Sequence, residues 1–346
     1  MKYKKINIPV LAVTMGDPAG IGPEIAAKAF SNDKIYNYCC PVLIGHIATM
    51  ENAMRITGVD LKINKIKEIS QARFDQETIN IFNIEGINLE NVRFGEISAE
   101  AGDFAFHAVK KAIDLALEKK VDGIVTGPIN KESIKNAGHA FSGHTEIFAH
   151  FTNTGKYAMM LADDNFKIIH VTTHVSLRKA CDMIKKDRIL DVIGLFDSGL
   201  KKLGINSPRI GVAGLNPHSS DGGLFGDEEI NEIIPAIKEA KKSGILAEGP
   251  VPADTLFALA YGGKYDGCVA MYHDQGHIPF KLLGFKWDKI KKVMESVRGV
   301  NITLGLPILR TSVDHGTAFE IAGKGIASSE ALIHAIEYAV KFLRKQ

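Results

Sequence analysis

The strongest constraint on the fold is an alternation along the chain. Short apolar runs stop abruptly at glycines or polar residues, and longer stretches of helical period separate them. The apolar runs are residues 9–15, 41–45, 79–84, 123–126, 167–171, 209–215 and 267–271. They are mostly apolar rather than strictly alternating, as strands buried on both faces are. Helical stretches span 24–30, 47–56, 101–120, 146–152, 188–203, 227–242 and 329–343. In the third of these stretches, Phe104, Ala108, Ala112, Leu115 and Ala116 recur at helical spacing, and the lysines of the last turn suit a helix C-terminus. Such an order predicts an α/β fold with largely parallel sheets covered by helices on both faces. Ligands then sit beyond the carboxyl ends of the strands, where the unusual polar residues of this chain collect.

With 346 residues and a 45% hydrophobic share, the chain can build one large or two medium cores. No repeat, low-complexity tract or linker is present. Two lobes are expected: residues 1–126 with 274–346 on the cofactor side, and 127–273 on the metal and dimer side. A net charge of +2 gives no reason to expect nucleic acid or an anionic membrane as partner. No apolar run is long enough to cross a bilayer. Residues 1–7 lead into a first strand rather than forming a signal peptide. Cys39, Cys40, Cys181 and Cys268 form no C-x-x-C pair, which fits idle thiols and a cytoplasmic location.

Three histidines share one context. His174, His218 and His273 each stand just past an apolar run. Imidazoles converging at that edge suit a divalent cation, with positions left open for substrate and water. The alternative is that each is a satisfied strand-end polar residue. His170, inside a run, reads as core. A second cluster, Ser142-Gly143-His144-Thr145-Glu146, precedes a helix, where backbone N–H groups favour an anion; simple N-capping by Thr145 is the other reading. Lys281, Asn301 and Arg310 suit a phosphate or carboxylate, Arg310 through paired donors. Asp254 and Asp274 are both candidates for the catalytic base or for carboxylates that orient a ligand, although Asp254 also fits a helix N-cap. The glycines of 314–325 permit close backbone approach to a ligand. The Gly16-Asp17-Pro18-Ala19-Gly20-Ile21-Gly22 stretch is glycine-rich but lacks the usual dinucleotide spacing.

Residues 14–24, 126–146, 172–174, 216–227, 272–276 and 299–325, taken in order, closely resemble the 4-hydroxythreonine-4-phosphate dehydrogenase family of pyridoxal phosphate biosynthesis. The opening glycine segment and residues 315–325 also resemble isocitrate and isopropylmalate dehydrogenases. The resemblance implies their two-lobed α/β/α fold, an NAD- or NADP-linked activity and one divalent metal per subunit, with Zn2+ favoured over Co2+ or Mg2+. It implies His174, His218 and His273 as metal ligands. It implies His144, Thr145, Lys281, Asn301 and Arg310 as substrate-binding residues, and Asp17, His315, Gly316 and Glu320 on the cofactor. Glu320 would accept ribose hydroxyls and repel a 2′-phosphate, which leans towards NAD. The family is a homodimer with its active site at the subunit interface, so His273 is expected from the partner subunit. The substrate implied is a small phosphorylated hydroxy-amino acid, 4-phosphooxy-L-threonine. It is oxidised at C3 to 2-amino-3-oxo-4-phosphooxybutanoate, which loses carbon dioxide to give 3-amino-2-oxopropyl phosphate.

Residues 286–296 depart from the family pattern as an insertion. Trp287, Ile290, Val293, Met294 and Val297 fall on one helical face, which predicts an extra helix packed on the protein or dimer edge; a lid over the phosphate pocket is the alternative. Rival functions are a paralogous dehydrogenase of D-threonate or D-erythronate 4-phosphate or of a dihydrodiol, a metal-independent nucleotide-binding regulator, and a metal-dependent phosphohydrolase.

Overall fold

A computed structural model of the chain describes residues 8–284, 286–289, 293–295 and 299–344. In chain order the elements are β1 (Val10–Thr14), α1 (Gly22–Phe30), β2 (Cys40–Gly45), α2 (Ile47–Thr57), β3 (Lys62–Ile66), β4 (Thr78–Asn83), α3 (Ala99–Leu117), β5 (Gly123–Thr126), α4 (Lys131–Asn136) and α5 (His144–Phe151). There follow β6 (Ala158–Ala162), β7 (Lys167–His170), α6 (Leu177–Met183), α7 (Lys186–Lys202), β8 (Arg209–Ala213), α8 (Ile234–Lys242), β9 (Leu246–Val251), α9 (Ala253–Tyr261), β10 (Gly267–Ala270) and α10 (His273–Gly284). The last elements are β11 (Lys286–Asp288), β12 (Val293–Glu295), β13 (Val300–Leu304), β14 (Arg310–Val313) and α11 (Glu330–Leu343). Every apolar run named above contains or overlaps a strand, so the α/β expectation holds.

Two compact units result. Among the described residues the first comprises 8–155 and 306–344, and the second lies within 156–305. These boundaries differ from crossings at 127 and 273. Residues 127–155 fold back as α4 and α5 onto α3, inside the first unit. The segment after 273 forms α10, which packs on β7 and β10, and β13, which pairs with β6, so both stay in the second unit.

The first unit has strand order β3-β4-β2-β1-β5-β14, all parallel. Chain direction across the sheet reverses between β1 and β5, the position where parallel sheets open a crevice. Leu11, Leu43 and Ile44 from the strands and Ile25, Phe104 and Phe148 from the helices are wholly buried. The second unit has strand order β13-β6-β7-β10-β8-β9, and only β6 runs against its neighbours. Its core holds Leu161, Phe166, Ile168, Leu256, Cys268 and Phe280, with Phe166 and Phe280 stacked at 6.1 Å.

Two local expectations change. Residues 227–242 are not one regular helix: a π-helical turn over Glu229–Ile233 precedes α8, because Pro235 at the start of α8 lacks an N–H and ends the earlier ladder. Where residues 286–296 are described, two strands stand in place of the expected helix: β11 pairs antiparallel with β12, Trp287 opposite Met294. Tryptophan and β-branched residues favour the pleated pairing, and a short apolar run reads alike in both periods. Ile290 and Val297 of that expectation, and residues 1–7, lie outside the described residues. All four cysteines are free thiols, Cys181 half-buried and the others buried. Among the described residues no helix is long and apolar enough to cross a membrane.

Candidate active site

Within the first unit, the two glycine-rich segments meet. Gly16, at φ 79°, turns the chain after β1, and Asp17 N–H donates to the Pro128 carbonyl at 2.8 Å. Ile21 N–H donates to the Thr317 carbonyl at 3.0 Å. Glu24, wholly buried in the first turn of α1, accepts the N–H groups of Gly323 and Gly325 on its two carboxylate oxygens. So residues 16–24 clamp 317–325, and Asp17 stands at the sheet's reversal point. Burial raises the pKa of Asp17 to about 6, against an opposing bond from Ala19 N–H, and its Oδ2 has no hydrogen-bond partner among the described residues. His315 and Glu320 flank the clamp: His315 Nδ1 donates to the Gly316 carbonyl at 2.9 Å, and Glu320 is exposed. Sequence reasoning did not single out Glu24, whose signal was a carboxylate inside an otherwise apolar helix start.

The same unit holds a cationic cluster. Arg310 opens β14 and is 2% exposed; its Nη2 donates to Thr126 Oγ1 at 3.0 Å and its guanidinium lies 5.7 Å from the Phe148 ring centre. Burial lowers its pKa to about 9, with Glu146 opposing, which leaves it charged at neutral pH. His144 is the first residue of α5, capped by Gly143, so Thr145 lies inside the first turn and is not the N-cap. Burial, and then the charges of Arg310 and Lys131, hold the His144 pKa well below the usual value, so the imidazole is neutral. His144 Nε2 is buried and has no hydrogen-bond partner among the described residues. A helix start, a buried guanidinium and an unpartnered ring nitrogen together suit an oxyanion.

In the second unit, β7, β10 and β8 are adjacent parallel strands. His174, His273 and His218 follow them, and therefore leave one edge of the sheet. The rings of His174 and His273 are 5.7 Å apart at their centres within a single chain. With metal–nitrogen bonds of about 2.0–2.1 Å, ring centres at that separation fit two ligands of one cation. His218 does not join them in one compact ligand group of this chain. Among the described residues, the one set of three side chains with ligand atoms all within 4.8 Å of one another is Asp103, His107 and His139, in the first unit.

The backbone around His218 is unusual. His218, Ser219, Ser220 and Asp221 all have positive φ, from 48° to 65°. Left-handed conformation costs about 1–2 kcal/mol per non-glycine residue, so something must hold it. Buried Glu229 does: Oε1 accepts Leu215 N–H at 2.7 Å and Asn216 N–H at 2.8 Å, and Oε2 accepts the Asn216 side-chain amide at 2.8 Å.

His273, His277 and Lys281 recur every four residues on α10. His277 stacks on His273 at 3.6 Å and donates from Nδ1 to the His273 carbonyl; His170, buried as expected, lies 4.7 Å from His277. Burial, then His273, lowers the His277 pKa to about 4. Gly276 permits this approach, since a Cβ there would overlap His170 Nε2. Asp274 Oδ1 accepts from His273 Nδ1 at 2.7 Å, the arrangement that orients a metal-binding imidazole. Asp254 is exposed in the first turn of α9, and the N-cap is Pro252, not Asp254. Asn301, on β13, has a buried Oδ1 with no hydrogen-bond partner among the described residues. His277 and Glu229 escaped sequence reasoning; the four-residue spacing on α10 was the available signal for the first.

The chain is similar over nearly its whole length to known proteins. A 4-hydroxythreonine-4-phosphate dehydrogenase from Klebsiella pneumoniae is similar in structure, with TM-score 0.83 and 45% identity over 97% of this chain and 99% of that one. A terephthalate 1,2-cis-dihydrodiol dehydrogenase from Burkholderia xenovorans LB400 is more distant, with TM-score 0.64 and 28% identity over 96% and 98%. Among curated relatives, a protein of Oceanobacillus iheyensis provisionally named D-threonate 4-phosphate dehydrogenase is 47% identical over 96% of this chain and 97% of its own. One of the same provisional name from Clostridium botulinum is 43% identical over 98% of each. The family model described as pyridoxal phosphate biosynthetic protein PdxA matches residues 37–339, and the chain belongs to that family.

Proposed function

We propose that the protein is a divalent-metal-dependent dehydrogenase that oxidises 4-phosphooxy-L-threonine at C3 with NAD. The product, 2-amino-3-oxo-4-phosphooxybutanoate, is a β-keto acid and decarboxylates to 3-amino-2-oxopropyl phosphate. The observation that carries the reading is the departure of His174, His273 and His218 from three adjacent parallel strands. The active form proposed is a homodimer with its site at the subunit interface, which would complete the ligand set with histidines of two protomers.

When bound, the cation supplies a Lewis acid that acidifies the C3 hydroxyl, and the nicotinamide supplies the hydride acceptor. Arg310, neutral His144 and Thr145 at the start of α5 bind the phosphoryl oxygens. Lys281 also holds the phosphate, and Asn301 fixes another polar group of the substrate. Asp274 holds the His273 ring. Asp254, or a water it orients, takes the hydroxyl proton. Asp17, His315, Gly316 and Glu320 receive the dinucleotide, and the Glu320 charge disfavours a 2′-phosphate. Zn2+ suits imidazole ligands, with Co2+ and Mg2+ as substitutes.

The provisional names of relatives 43–47% identical favour a second reading, D-threonate 4-phosphate as substrate. Both substrates carry a secondary alcohol and a 4-phosphate on a four-carbon acid. The test supplies metal-loaded protein with each phosphate in turn, NAD or NADP, and follows reduced nicotinamide. A higher kcat/KM for 4-phosphooxy-L-threonine supports the first reading, and a higher value for D-threonate 4-phosphate replaces it with the second. Phosphate release without nicotinamide reduction would sink both.

A further inference from the structure

We propose that Asp103, His107 and His139 form a second divalent-cation site, of the zinc class, apart from the histidines of the second unit. Asp103 and His107 are four residues apart on α3, so both project from one face of a rigid helix. His139 comes from the loop after α4. Both imidazoles reach the same carboxylate oxygen: His139 Nε2 is 2.8 Å and His107 Nε2 is 3.3 Å from Asp103 Oδ1. The candidate ligand atoms all lie within 4.8 Å of one another.

Those separations match what a cation requires. Tetrahedral zinc with bonds of about 2.0–2.1 Å sets its ligand atoms about 3.3 Å apart. The His107 contact already has that spacing, and the His139 contact needs to open by about half an ångström. The rings are also held in place. His139 stacks on Phe106 at 3.7 Å and 15°, and His107 meets the edge of the same ring at 5.5 Å. The two imidazoles stand at 86° to each other with centres 5.9 Å apart, so they approach the shared oxygen from different directions. Side-chain exposures of 35%, 47% and 21% for Asp103, His107 and His139 leave the remaining coordination position to water. Two imidazoles and a carboxylate select zinc, cobalt or nickel over magnesium or calcium, whose preferred shells are all oxygen. A cation here would tie the 137–143 loop to α3, immediately before His144 and Thr145.

The proposal does not depend on the dehydrogenase reading, and the experiment separates the two. Full-length, metal-stripped protein is dialysed against Zn2+ and its bound metal counted per chain. In a His174→Ala, His218→Ala background the protein should retain one equivalent, and adding His107→Ala and His139→Ala should remove it. Asp103→Asn, which keeps helix and volume, should weaken Zn2+ binding at this site by at least about tenfold. Co2+ loading of the same background should give the visible absorption of a low-coordinate ion, absent after Asp103→Asn. Circular dichroism and thermal melting establish that each variant is folded. Unchanged stoichiometry and affinity in folded variants lacking these ligands would overturn the site. Retention of the zinc in that background, with its loss on Asp103→Asn, stands even where no dehydrogenase activity is found.

Discussion

Asp17 is a wholly buried carboxyl whose pKa rises from 3.8 to about 6 through loss of solvent. Between those values the folded chain keeps a proton that the unfolded chain has released. Its contribution to stability is therefore present in full below pH 3.8 and is lost as pH rises through about 6. A shift of about two units corresponds to about 3 kcal/mol. Asp17→Asn retains an acceptor for Ala19 N–H and carries no charge. Unfolding by urea should show the variant more stable than the parent by about that amount at pH 7.5, with the gain vanishing near pH 4. An equal gain at both pH values would mean that charge burial is not the cause. A buried ionisable group kept at such a cost is expected where ligands bind. Arg310 makes the complementary case. Arg310→Lys keeps the charge but loses the paired planar donors, and KM for the phosphorylated substrate should rise on the order of tenfold to a hundredfold. Steady-state kinetics decide it, since a fall confined to kcat would place Arg310 elsewhere than on the phosphate.

At the scale of elements, β5 and the strand–turn junctions after β1, β7, β8 and β10 were legible because each apolar run ends on a glycine or polar residue. The strand β13 and helix α10 were not. Strand β13 carries the alternation of a half-buried strand, Asn301 and Thr303 between apolar residues, but it follows a segment that reads as helix, and Pro279 inside α10 is a breaker that burial of Phe280 and His277 overrides. Strand β6 carries the same signal, an apolar run over Ala158–Ala162 that stops at Asp163, and was passed over beside the neighbouring run at 167–171. The site residues at strand ends were readable as types in position. The clusters they join were not, because Asp103 with His139 and Glu229 with Leu215 meet only after folding. The turn bearing His218 shows how much depends on such a meeting. Without Glu229, four left-handed residues lose the acceptors that hold their entry. Glu229→Ala should raise amide exchange at Leu215 and Asn216 on the order of tenfold to a hundredfold, ahead of any change in β8. Uniform acceleration across the second unit would instead mark Glu229 as a general core residue.

At the scale of the molecule, the two units differ in how the chain builds them. The second is continuous from 156 to 305 and contains all six strands of its sheet, the β11–β12 pair and its aromatic core. The first is interrupted, and 306–344 must return to complete it. That return supplies β14, which pairs with β5, and α11, which covers β5 and β14. Leu332, Ile336, Val340 and Phe342 of α11 are buried there, and Thr311 Oγ1 donates to the Ala335 carbonyl at 2.8 Å. Removing this segment would expose several large apolar side chains, each worth about 1.5–3 kcal/mol of burial, against a total stability of about 5–15 kcal/mol. Residues 156–305 expressed alone should therefore melt cooperatively by circular dichroism. Residues 1–155 alone should not, and should gain a transition when a peptide of 306–344 is added. A cooperative melt of 1–155 without the peptide would show that the parallel sheet of the first unit is complete at β5 and that its last strand and helix are additions.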